Sequence, residues 1–67
     1  MNPTRRIRQT LGLTQAELAT ALGISQSLVS QYERGRQEMP PDTARRLIQF
    51  AQTRGKRFTF NDIYLNQ

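Results

Sequence analysis

An all-α domain of five short helices is expected from this sequence, on three observations. Gly12, Gly23, Gly35 and Gly55 cut the chain into helix-length pieces. Thr14 with Glu17 three residues on forms a capping box, flanked by Leu13 and Leu18 at the spacing of a hydrophobic staple. Ala44, Leu47, Ile48 and Ala51 fall at i, i+3, i+4 and i+7, the apolar stripe of an amphipathic helix.

Each helix has its own start and stop signals. Asn2 before Pro3 suits an N-cap with proline at the first helical position, and Ile7 and Leu11 share a face that ends at Gly12. The second helix starts at the Thr14 box and runs to about Leu22, with Leu18, Ala19 and Leu22 inward and Gly23 as its C-cap. Ser25 caps the third helix, which reaches about Arg34 and stops at Gly35; Ile24 and Val29 repeat the staple spacing. "RQEMPPD" is a loop, after which Pro41 and Asp42 suit the first turn of the fourth helix. In the tail, Thr59 with Asp62 makes a weak capping box and Phe58 with Ile63 has staple spacing, which favours a short fifth helix over residues 60–65. Phe58 and Phe60 also alternate like a strand, so a β tail stays open as the alternative.

Composition narrows the function. The 67 residues are read as a single domain, and a domain of this size buries only about 60% of its unfolded surface, too little for both a good core and a deep enzyme pocket. With neither Cys nor His, the chain lacks thiolate ligands, the commonest metal ligand and the commonest general base, so no catalytic residue, metal or cofactor is expected. The net charge is +5, and nine of the ten basic residues are Arg, which binds phosphate in bidentate fashion. A basic, Arg-rich chain suits a polyanionic partner. No apolar run approaches the ~20 residues of a membrane span, so a cytoplasmic location without a membrane partner is expected, at the nucleoid if DNA is bound.

Residues 14–34 carry the functional signal. Two short helices meet across "GIS", Ala19 is small where they should cross, and Leu18, Leu22, Ile24, Val29 and Tyr32 are apolar where each should face a core. This is the pattern of a helix-turn-helix, whose second helix enters the DNA major groove. That helix carries Gln26, Ser27, Ser30 and Gln31 on its other positions rather than Glu and Lys. A Gln amide sets a donor beside an acceptor, complementary to adenine N6 and N7, and a Ser hydroxyl serves either role. A plain solvated polar face is the alternative for each, and weighs most for Ser30. Arg5, Arg34 and Arg36 are phosphate candidates, although basic charge at Arg34 and Arg36 also suits the end of the helix dipole. Arg45, Arg46 and Arg54 lie off the apolar stripe of the fourth helix and read as a solvated face. Lys56 and Arg57 are weaker phosphate candidates.

"GLTQAELATALGISQSLVSQYERG" resembles the DNA-binding domains of phage repressors and Cro proteins, the XRE-type family. The resemblance extends from about Arg5 to Leu65 and is specific from Gly12 to Gly35. It implies a five-helix regulator of transcription that binds a near-palindromic operator in double-stranded DNA as a homodimer. It implies phosphate contact by Gln15, which would also support Gln26, with Ser25 as both cap and phosphate neighbour. Gln26, Ser27 and Gln31 would reach base edges. It also implies a partly buried salt bridge between Arg8 and Glu33.

Some members replace the last helices with a dimerising β-hairpin, which matches the strand alternative for "RFTF". The sequence as it stands leaves no room for a long N-terminal arm or a separate oligomerisation domain, so a dimer is expected through this domain. Its tail, with Phe58, Tyr64 and Leu65, is the expected surface, while Phe60 and Ile63 are expected in the core. The rival functions are an antitoxin that uses the same domain and binds a toxin, and a helical protein-interaction module without DNA.

Overall fold

The computed structural model describes residues 3–64. Five helices follow in order: α1 (Pro3–Thr10), α2 (Gln15–Leu22), α3 (Gln26–Glu33), α4 (Pro41–Thr53) and α5 (Phe60–Tyr64). No strand occurs among the described residues: residues 57–59 are irregular and 60–64 helical, so the β alternative for "RFTF" falls. Asn2, expected as a cap, and Leu65, expected on a dimer surface, lie outside the described residues.

Local chemistry sets the helix ends. The Thr14 hydroxyl accepts from the Glu17 N–H at 3.1 Å, and the Glu17 carboxylate accepts from the Thr14 N–H at 2.9 Å. Both halves of the capping box are therefore made, which satisfies two orphan donors at the start of α2. Gly23 closes α2 at φ +71°, in the left-handed region that L side chains enter at a cost. The Ile24 N–H then returns to the Ala19 carbonyl at 3.0 Å, which fixes the sharp turn into α3. The Ser25 hydroxyl accepts from the Leu28 N–H at 3.0 Å and starts α3. Thr59 and Asp62 exchange bonds of 2.7 and 3.3 Å and start α5 in the same way.

α3 packs on α1 and α2, α4 on α2, and α5 on α1 and α4. Leu18, Leu22, Leu47 and Val29 are the largest fully buried side chains. Ile7 of α1 and Ile63 of α5 close the core from the other side, and Ala19 and Ala44 supply small surfaces within it. Met39 joins the core from the loop before α4. Its carbonyl accepts from the Tyr64 hydroxyl at 2.6 Å, which ties α5 to that loop.

Two expectations change. Phe60 is not a core residue: it is 42% exposed, and its ring stacks on Tyr64 with centroids 6.4 Å apart. A helix of five residues buries a single side, and Ile63 takes it; Phe60 and Tyr64, four apart, share the neighbouring face. Arg46 does more than solvate α4. Its Nη1 donates to the Leu22 carbonyl at 3.2 Å, capping the C-terminal end of α2 from outside, and its Nη2 pairs with Asp42 at 3.1 Å. Arg45 remains exposed, and the Arg54 guanidinium lies 4.9 Å from the centre of the Phe50 ring.

The polar clamp between helices is centred on Glu33. Arg8 donates to it twice, Nε to Oε2 at 2.5 Å and Nη2 to Oε1 at 3.1 Å, and spends Nη1 on the Leu13 carbonyl at 2.9 Å. The Arg8 and Glu33 side chains are 14% and 5% exposed. Burial pushes the Glu33 carboxyl up. Hydrogen bonds from Arg8 and Gln15, with the charges of Arg8 and Arg5, outweigh it and hold the carboxyl below its ordinary range. The hydrogen bond to Glu33 raises the Arg8 pKa, against a smaller opposing effect of burial.

Glu33→Gln should therefore cost on the order of 3 kcal/mol at neutral pH, the lower end for breaking a buried pair. The folded-state pKa of Glu33 is depressed, so its stabilisation is complete above the ordinary carboxylate range. It fades as pH falls through the lower folded value. Urea unfolding of wild type, Arg8→Met, Glu33→Gln and the double variant should give strongly non-additive losses at neutral pH, and the wild-type advantage over Glu33→Gln should shrink in acid. Additive losses at neutral pH would show that the two side chains are not energetically coupled.

Candidate nucleic-acid interface

The two faces of α3 follow from its wheel. With one residue per about 100°, Gln26, Ser30, Ser27 and Gln31 fall within an arc of about 140°, and Leu28, Tyr32, Val29 and Glu33 fill the opposite side. Burial agrees with this division. Val29 and Tyr32 are buried and Leu28 packs partly against the core, whereas Gln26 and Ser27 are exposed and Ser30 and Gln31 half-buried. The outward arc thus presents two amides and two hydroxyls with no formal charge. Glu33, the one ionised side chain of α3, lies at the inner edge of the arc and is held by Arg8.

Ser25 is exposed, and its hydroxyl is committed as an acceptor to the start of α3. Beyond the other end, the Arg36 N–H donates to the Gln31 carbonyl at 3.0 Å and the Gly35 N–H to the Tyr32 carbonyl at 3.2 Å. These bonds close the helix and leave the side chains of Arg34 and Arg36 exposed beside its C-terminal end. Arg5 is exposed on α1, close enough for its charge to act on Glu33.

Gln15, the first residue of α2, is half-buried. Its Nε2 donates to Glu33 Oε1 at 3.1 Å. The support for Gln26 implied by the resemblance is therefore not the bond that Gln15 makes here. The reason is electrostatic: an ionised carboxylate within reach is a stronger acceptor for an amide N–H than a neutral side chain. Arg5, Arg8 and Gln15 thus gather around the carboxylate at the end of α3, while Gln26 and Ser27 stand at its start. Lys56 and Arg57 are exposed in the segment between α4 and α5.

Sequence reasoning missed three members of this arrangement: the Gln15–Glu33 bond, the Arg46 cap on α2 and the Tyr64–Met39 bond. Only Arg46 left a local trace, as the partner of Asp42 four residues earlier. No group of three or more His, Cys, Asp or Glu residues that could hold a metal ion occurs among the described residues, and no described helix is long and apolar enough to cross a membrane.

The helix-turn-helix family model matches residues 5–54, from the third residue of α1 through the whole of α2, α3 and α4. No curated protein and no solved structure gives a significant match. The family comprises DNA-binding regulators rather than enzymes, and its members bind double-stranded DNA. With the matched span covering most of the chain, the protein belongs to the helix-turn-helix family of Cro- and repressor-like, XRE-type DNA-binding proteins.

Proposed function

We propose that the protein is a sequence-specific repressor of the Cro-like or minimal phage-repressor kind, which reads its operator with α3. The observation that carries this reading is the uncharged outward arc of α3. Gln26, Ser27 and Gln31, with Ser30 beside them, offer paired donors and acceptors to base edges in the major groove. Arg5, Arg34, Arg36, Gln15 and Ser25 supply phosphate contacts, which position the helix without reading sequence.

Two copies would place their α3 helices in successive major grooves of a near-palindromic site, with half-site centres ~34–36 Å apart. The tail offers a surface for the second copy. Phe60 is exposed and stacked on Tyr64, Phe58 is half-buried, and the Tyr64 hydroxyl is held by Met39. Repression follows if the occupied site overlaps a promoter. Selection of binding sites from random DNA tests the whole reading: it should yield a two-fold symmetric consensus of that spacing, and failure to enrich any sequence would refute it.

Gln26→Ala should weaken binding to the selected site by ~1–3 kcal/mol and relax discrimination at one base pair per half-site. Titration against both the site and scrambled DNA checks this, since an equal loss on both would remove Gln26 from the reading set. Arg36→Ala should weaken binding on all sequences alike and lower the slope of log K against log salt by about one unit per protomer. An unchanged slope would take Arg36 off the phosphate list.

A further inference from the structure

We infer that Glu33 is a positioning residue of the DNA interface, acting through the side chain of Gln15. Glu33 Oε1 accepts from Arg8 Nη2 and Gln15 Nε2, each at 3.1 Å. An ionised carboxylate can only accept. The nitrogen of the Gln15 amide must therefore face Glu33, and its oxygen must face away. One amide N–H is used, and the second stays available to an anion at the start of α2. A phosphate accepts and cannot donate, so it requires that N–H and would be repelled by the amide oxygen. The bond to Glu33 thus selects the amide orientation that a phosphate can use.

The same bond restrains a long side chain before DNA arrives. A free Gln loses rotamer freedom when it is ordered. Gln15 has part of that freedom removed by folding, because its partner belongs to α3 and is itself pinned by two bonds from Arg8. Arg8 has a second consequence. It neutralises a carboxylate that would otherwise stand near the phosphate backbone and repel it. Arg8 and Glu33 therefore present Gln15 without adding negative charge to the interface.

This inference rests on the reading of Gln15 as a phosphate contact, and the test separates the two. Affinities of wild type, Gln15→Ala, Glu33→Gln and the double variant are measured on the selected site and on scrambled DNA, at a temperature where circular dichroism shows all four folded. In Glu33→Gln one of the two acceptor oxygens becomes an NH2 donor and the charge is lost, so Arg8 and Gln15 compete for the single remaining oxygen and the bond to Gln15 weakens. Each single variant should bind roughly tenfold more weakly on both DNAs, the value of one hydrogen bond to a charged group. The double variant should bind no more weakly than either single one. A fully multiplicative loss in the double variant, or wild-type affinity in folded Glu33→Gln, would overturn the positioning role while leaving Gln15 as a phosphate contact. Wild-type affinity in Gln15→Ala would overturn both.

Because Glu33→Gln weakens the fold, a second measurement uses the unaltered protein. In an acid titration followed by NMR, the side-chain NH2 signals of Gln15 should move together with the titration of Glu33, at a pH below the ordinary carboxylate range. Those of the exposed Gln9 and Gln49 should not. Gln15 signals that stay fixed while Glu33 titrates would overturn the inference.

Discussion

The carboxylate of Glu33 is the point on which α1, α2 and α3 agree. Apolar packing brings these helices together but leaves their relative rotation loosely set, since hydrophobic contact has no direction. A bidentate guanidinium–carboxylate pair does have direction. Arg8 fixes α1 to the end of α3 through two bonds and to the α1–α2 connection through the Leu13 carbonyl. Gln15 adds the start of α2. Sixty-seven residues without a cysteine have little core to spare. One well-satisfied polar cluster at the junction is an efficient way to give such a domain a single arrangement, provided that every bond is made. None of the described buried side-chain nitrogen or oxygen atoms lacks a partner.

The turn between α2 and α3 is constrained from a second direction. Gly23 supplies the left-handed backbone that lets α3 leave α2 at a sharp angle. A Cβ at this position would meet only Arg46 Nη1, at 3.9 Å, so the requirement for glycine lies in the backbone angle and not in crowding. Arg46 reaches the adjoining Leu22 carbonyl from α4 and satisfies an acceptor that the helix end leaves open. The orientation of α3 therefore depends on α1 through Arg8 at its far end and on α4 through Arg46 near its start. The two arginines do unlike work, one half-buried and one exposed.

What the sequence disclosed divides along the range of the interactions. Capping boxes, staples and glycine stops are local, so the starts of α2, α3 and α5 and the ends of α2 and α3 were legible from residues within five positions of one another. The chemical character of the α3 surface was legible too, because the wheel of a helix assigns Gln26 and Val29 to different sides without tertiary information. Long-range hydrogen bonds were not. Tyr64 and Met39 are 25 residues apart, and Arg46 and Leu22 are 24 apart. The Arg8–Glu33 pair, also 25 apart, entered only through resemblance, since nothing near either residue distinguishes it from a surface charge. Phe60 was misplaced for a related reason. An aromatic residue beside Phe58 reads as core by composition, but a helix of one turn and a half has a single inward position, and that position went to Ile63.

The charge balance of the chain has a spatial logic that the net value of +5 conceals. Four of its five acidic residues are occupied by the fold: Glu33 by Arg8, Asp42 by Arg46, and Glu17 and Asp62 by backbone N–H groups at helix starts. Acids in these places complement helix dipoles or guanidinium groups close by. Glu33 and Asp42 each stand beside a guanidinium that offsets their charge, so they do little to weaken the positive field of the other arginines. Arg34 and Arg36 thus keep their charge for solvent or for an anionic partner, beside a helix whose own outward face is uncharged. On the proposed reading, this arrangement makes affinity and discrimination separable. Salt acts on the arginines, whose contribution comes from releasing counterions, and leaves the amides and hydroxyls of α3 largely untouched. A protein that read bases with lysines would lose both properties together as ionic strength rose. One that divides the tasks between Arg36 and Gln26 would bind more weakly in salt and still choose the same sequence.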